Sequence, residues 1–284
     1  MSGEVRRPAH AERGMASGVR REAAAERGMA SGELRRALSA EWLKGRHGAA
    51  RRVAVAGAVP CALLGILASG ALGAAAQPGI GFATYGWAWW YTLMLPVVVS
   101  LVCVCVARLD VRGGLRGVLG LPLSPRSTWW AKVLVCLGLV LVSSLVVWAA
   151  SVPCWLLGGL APDPLLGLAA ALLCTVGAAW MVPACLWLAT SCGTLAAIAL
   201  PVLGQVAVGL VFSYAPIWWA LAPAAAFRLC SPVVGVAPSG IPLAPGDPLW
   251  AMGAPWAAGV AVCLGAFVLL AWLGARWADR LEVR

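Results

Sequence analysis

Long uncharged runs set the pattern of this chain. Between Arg52 and Arg108 no residue is charged, and Gln77-Pro-Gly-Ile-Gly81 divides the interval into two apolar stretches, about 53–75 and 87–107. Each approaches the ~20 residues that a helix needs to cross a bilayer core. Lys132 to Asp163 holds a third stretch, about 133–155. Asp163 to Arg228 is again uncharged and, at about 1.5 Å per helical residue, is far too long for one crossing. Its weakest point, Thr190-Ser-Cys-Gly-Thr194, divides it into 165–189 and 195–215, and a sixth stretch covers 256–274. The pattern predicts an all-α integral membrane protein with six transmembrane helices, a single transmembrane domain over 53–284.

The segments outside these runs are of three kinds. Residues 1–32 contain an exact repeat, Ala11 to Gly18 and Ala25 to Gly32, with no apolar face; this reads as a disordered extension made by tandem duplication, and Met29 is a second candidate start. Over 33–52, Leu34, Leu38 and Trp42 recur at helical spacing among basic residues, which predicts an amphipathic helix in the inner headgroup region, with Ser31 as its N-cap. A disordered basic anchor fits that pattern equally well. Residues 216–255 are rich in proline yet strongly apolar, too broken to span and too greasy for a free loop, so short re-entrant or interfacial helices packed against protein are expected there.

Composition fixes the solvent. Of the residues 62% are hydrophobic and 11% charged, against about 25% charged in soluble domains, so lipid surrounds most of the chain. The net charge of +10 does not indicate nucleic acid, because nearly all basic residues flank apolar spans rather than line one face. With the N-terminus inside, every Lys and Arg but Arg228 falls on the cytoplasmic side, so both termini are expected there, in the cell membrane. Trp87, Trp89, Trp90, Trp155, Trp218, Trp219, Trp250 and Trp256 fall near the outer interface; Trp42, Trp129, Trp130, Trp187, Trp272 and Trp277 fall near the inner one. None of the ten cysteines forms a C-x-x-C pair, and nine read as small core hydrophobes; Cys230, in the apolar external segment, is the one whose redox state is open.

Catalytic chemistry is scarce. Both histidines, His10 and His47, precede the first span, so no Ser-His pair or H-E-x-x-H zinc site can form in the membrane, and no metal or catalytic residue is assigned. Gln205 is the strongly polar side chain predicted deep in a span; it is a candidate for a translocation path, with an interhelical hydrogen bond as the simpler role. No Gly is followed by Lys, so the chain has no Walker A motif and binds no nucleotide of its own. The basic loop Arg108 to Lys132 has two readings. From spacing alone the simpler one is favoured, an anchor whose arginines meet lipid phosphates. The other is a docking knob for a soluble partner, a short helix over Leu115 to Leu121 broken by Pro122 and Pro125.

A resemblance bears on that choice. Leu34 to Arg52, with Glu41-Trp-Leu-Lys44, resembles the start of type-2 ABC exporter permeases, especially the lantibiotic-protection (antimicrobial peptide immunity) group. The loop is similar too, in Asp110, Leu119, Leu121-Pro122-Leu123-Ser124, Arg126 and Lys132, although the family more often has Glu where Asp110 stands. The resemblance implies a permease that pairs with itself or a sister chain and is driven by separate ABC ATP-binding subunits, which carry the ATP and Mg. It implies an ATPase-coupling loop formed by Leu115, Leu119, Leu121, Pro122, Leu123, Ser124 and Arg126, and a supporting helix carrying Leu34, Leu38, Glu41, Trp42 and Lys44. The expected activity is export of an apolar or amphipathic substrate, such as an antimicrobial peptide. A non-transporting membrane scaffold is the alternative.

Overall fold

The computed structural model describes residues 32–46, 48–72, 80–112, 124–157 and 161–281. The repeated extension, Ser31, most of the Gln77 turn and residues 113–123 lie outside them. Among the described residues the fold is helical, and a single antiparallel bridge, Val236 with Pro242, stands in place of strands. Helix α1 covers residues 32–44. It is followed by α2 (Ala49–Ala56), α3 (Val59–Leu72), α4 (Leu95–Arg112), α5 (Pro125–Leu156), α6 (Pro164–Ala178), α7 (Met181–Ser191), α8 (Thr194–Phe212), α9 (Ala222–Val234) and α10 (Ala254–Leu281).

Five of the resulting runs are long and apolar enough to cross a membrane, and α6 with α7 makes a sixth when taken as one bent span. The first is α2 with α3, broken at Gly57 just before Pro60. A Cβ on Gly57 would come within 2.5 Å of Val98 Cγ2, so the break is where α4 approaches the backbone. The second begins before α4, with π-helical stretches at Ala83–Ala88 and Trp90–Met94. Pro96 has no N–H to return to the carbonyl of Thr92, which leaves the preceding turns free to widen. In the fourth span the 42° bend falls between Ala178 and Met181. Pro183 likewise cannot pair with the Ala179 carbonyl, which accepts instead from Val182 N–H at 3.1 Å. The turn into α8 is closed by Gly193 at φ 94°, with Cys192 N–H and Gly193 N–H both donating to the Leu188 carbonyl.

The third span differs from expectation at its start. Pro125 begins α5, because it occupies the first turn, where an N–H has no helical partner; the short helix expected over Leu115 to Leu121 lies outside the described residues. Ser124 is its N-cap, with Oγ accepting from Ser127 N–H at 3.3 Å. The helix therefore starts eight residues before the apolar run at Val133.

Threading these spans in order leaves α1, the start of α5, the α7–α8 turn and the end of α10 at one end of the bundle; α9 and its flanking loops occupy the other. α4 and α5 are central, whereas α3, α8 and α10 turn rows such as Leu63 and Leu67, Leu195 and Leu203, and Val268 and Leu269 outward. Trp87 and Trp90, expected at a headgroup boundary, are wholly buried in protein; Trp90 Nε1–H donates to Ser144 Oγ at 3.3 Å. Phe82 is gripped between Gly65 and Gly86, where any Cβ would meet its ring within 2.8 Å.

The proline-rich segment before the last span packs as expected, with α9 as its main element. Ten of the thirteen α9 residues are buried, because Gly177 on α6 lets the α9 backbone at Ala226 come close. Cys230 is thus not in an open loop: it is wholly buried on α9, with Sγ 3.5 Å from Cys174 Sγ on α6.

Candidate functional site

The first feature of the α1 end is how α1 is seated. Ala37 and Glu41 are its buried residues, Leu38 packs against the core, and Leu34 is half-buried. Trp42, expected on the same stripe, is 52% exposed, and its ring lies under the Arg51 guanidinium at 4.0 Å. Arg51 Nη2–H also donates to the Trp42 carbonyl at 3.0 Å, tying the end of α1 to α2. The small Ala37 lets α1 approach the bundle, which turns its buried face away from the Leu34–Leu38–Trp42 line. Glu41 faces Val106, Leu109, Val135 and Leu139 across a narrow notch, and accepts from Lys44 Nζ at 3.0 Å. A buried carboxylate is tolerated when its charge is met in this way.

The second feature is the start of α5, at Ser124 to Trp129. Leu115, Leu119, Leu121, Pro122 and Leu123 lie outside the described residues, whereas Ser124 and Arg126 are exposed just beyond them. Ser124 Oγ–H donates to Glu33 Oε2 at 3.3 Å and Ser127 Oγ–H to the same oxygen at 3.5 Å. The first turn of α5 is therefore held against the first turn of α1. Two residues later Trp129, 5% exposed, donates Nε1–H to the Ala271 carbonyl of α10 at 2.9 Å and packs edge-on against Trp277. Gly274 makes room for its ring, on which any Cβ would fall. One short stretch, Ser124 to Trp129, thus joins α1, α5 and α10.

Ser127, Trp129, Gly274 and Trp277 did not stand out in the sequence as members of this junction. Ser124-Pro-Arg-Ser127 did carry a signal, a Ser followed by Pro that starts a helix as well as it ends one. The Trp129–Gly274 contact joins residues 145 positions apart, and no local pattern marks it.

Gln205 sits deeper. It is 2% exposed; Oε1 accepts from Trp180 Nε1–H at 3.1 Å and Nε2–H donates to the Pro223 carbonyl at 3.2 Å. Its amide bridges α8, the bend between α6 and α7, and the first turn of α9. Beside it Tyr91, Cys174, Ala178 and Ala226 line a small gap. Tyr91 Oη–H reaches the Val236 carbonyl beyond α9 at 3.2 Å. Among the described residues no group of three or more His, Cys, Asp and Glu is arranged to hold a metal ion.

A bundle of apolar spanning helices with nearly all described cations at one end defines a multi-pass membrane protein. The chain belongs to the ABC-2 transporter family: the family described as "ABC-2 family transporter protein" matches residues 37–214, from α1 through α8. It is accordingly a membrane permease subunit of an ABC transporter, a transport component whose family works with an ABC ATPase subunit. Comparison with curated proteins and with solved structures yields no match.

Proposed function

We propose that this permease exports an apolar or amphipathic substrate, with an antimicrobial peptide as the leading candidate, and that Leu115 to Arg126 receive the closing motion of the ATPase. The observation that carries the reading is the junction at Ser124 to Trp129: a push on the preceding loop is delivered at once to α1 through Glu33 and to α10 through Ala271 and Gly274. Rigid packed elements joined by hydrogen bonds transmit displacement without absorbing it. The positive-inside rule puts the α1 end in the cytoplasm, where a soluble ATPase has access. ATP and Mg then belong to that partner, and this chain supplies the path. The outward apolar faces of α3, α8 and α10 offer room for lipid and for a second permease, identical or a sister chain. The similarity of Glu41-Trp-Leu-Lys44 and Leu121-Pro-Leu-Ser124 to the lantibiotic-protection group supports the peptide substrate.

Purification from the native membrane tests the reading: an ATPase bearing a Walker A motif should accompany the wild-type chain. The double variant Leu121→Asp, Leu123→Asp should insert normally yet lose ATP-dependent export and most of the ATPase. Export that survives these changes would overturn the coupling role, and co-purification of other membrane proteins without an ATPase would favour a scaffold.

A further inference from the structure

Between Asp163 and Asp247 the chain holds one charged residue, Arg228, and the fold places it in the middle of α9, whose other faces are almost all buried in protein. A guanidinium half-removed from water at the end of a bundle otherwise free of cations requires a reason. Its partners are few. Nη1–H donates to the Ser213 carbonyl at 3.1 Å, at the last turn of α8, and the guanidinium carbon lies 4.8 Å from the centre of the Trp218 ring. Asp247 is near enough to favour the charged form, but its Oδ1 is engaged by Leu249 N–H at 2.8 Å, and it does not come within 4 Å of Arg228. Burial meanwhile pushes the guanidinium pKa down from its usual value, so the cation is incompletely compensated. Of its five N–H donors, one is taken by an acceptor among the described residues.

We infer that Arg228 binds the phosphate of a membrane phospholipid. The surroundings are those of a headgroup boundary: Tyr214, Ile217 and Trp219 are exposed beside it, 56%, 53% and 39% respectively. Aromatic side chains with one wet end gather at that depth. Just below Ser213, the outward row of α8 with Val211, Leu210 and Leu203 offers an apolar wall for acyl chains. A planar guanidinium matches a phosphodiester in a bidentate, charge-assisted pair, and the Trp218 face and Ser213 carbonyl hold the fork in orientation. Such a lipid would pin α9 against α8 through their one ionic partner. The inference rests on the membrane reading alone and stands or falls independently of what is transported.

Melting of the purified full chain in detergent, followed by tryptophan fluorescence, tests it with three probes: phosphatidylglycerol, a diacylglycerol with the same chains, and inorganic phosphate. Phosphatidylglycerol should raise the midpoint by about 3–5 °C, and diacylglycerol should do little. Arg228→Gln should abolish the difference between the two lipids, and Arg228→Lys should retain part of it. Equal stabilisation by both lipids in the wild type, or an undiminished difference in Arg228→Gln, would overturn the proposal. If inorganic phosphate matches the phospholipid, the site takes a small anion and the lipid assignment is wrong. Should Arg228→Gln fail to fold, Arg228→Lys decides in its place: it keeps the charge but not the planar fork, and a phospholipid preference undiminished from the wild type would overturn the proposal.

Discussion

Trp129 packs directly on the backbone at Gly274, its indole lying where a side chain on α10 would begin. Gly274→Val should therefore force the ring out and cost about 1–3 kcal/mol, seen as a lower melting temperature of the solubilised protein. Trp129→Phe should cost less: it keeps most of the packing and gives up one hydrogen bond, worth about 0.5–1.5 kcal/mol, to the Ala271 carbonyl. The same logic separates two roles for Gln205. Gln205→Leu leaves the Trp180 N–H unpaired and removes the second donor to the Pro223 carbonyl, which should destabilise by about 1–3 kcal/mol and loosen α9. If transport fell while melting was unchanged, the side chain would be acting on substrate rather than bridging helices.

At the scale of elements, the start of α5 is the point where local sequence and tertiary contact reinforce each other. Ser124 caps its own helix and donates to Glu33, so one hydroxyl serves both α5 and the α1 contact. A double-mutant cycle on Glu33→Ala and Ser127→Ala should give a coupling of about 0.5–1.5 kcal/mol. If the junction transmits motion, Glu33→Ala should also reduce ATPase stimulation by substrate while leaving membrane insertion intact. The π-helical stretches before α4 had no signature in the sequence, since a run such as Ala83-Thr-Tyr-Gly-Trp-Ala88 fits an α-helix equally well. Their widening follows from Pro96 together with the crowding of Phe82, Trp87 and Trp90, which is a matter of packing. Proline by itself did not mark the bends either: Pro60 and Pro183 stand just after a break, whereas Pro153 and Pro201 lie inside the unbroken α5 and α8.

For the whole molecule, the threading makes a prediction about sidedness. Cys192, in the turn at the α1 end, is the exposed thiol among ten, while Cys103, Cys174, Cys185 and Cys230 are wholly or almost wholly buried. A membrane-impermeant maleimide should label Cys192 in inside-out vesicles and not in intact cells, and Cys192→Ser should abolish the labelling. Labelling from the outside of intact cells would invert the bundle and overturn the ATPase-coupling role proposed for Leu115 to Arg126. Sequence patterning alone was enough for the helical membrane class with five or six apolar spans, the cationic end and the burial of the segment before α10, because each depends on the cost of placing charge or unpaired backbone in hydrocarbon. That cost is paid residue by residue and is written in the order of the chain. The seating of α1 on Ala37 and Glu41, the clasp of Glu33 with Ser124 and Ser127, the Trp129–Gly274 contact and the burial of Cys230 were decided only by the tertiary structure. They depend on which helix faces meet at close range, and in a bundle where nearly every face is apolar, hydrophobicity does not say which faces those are.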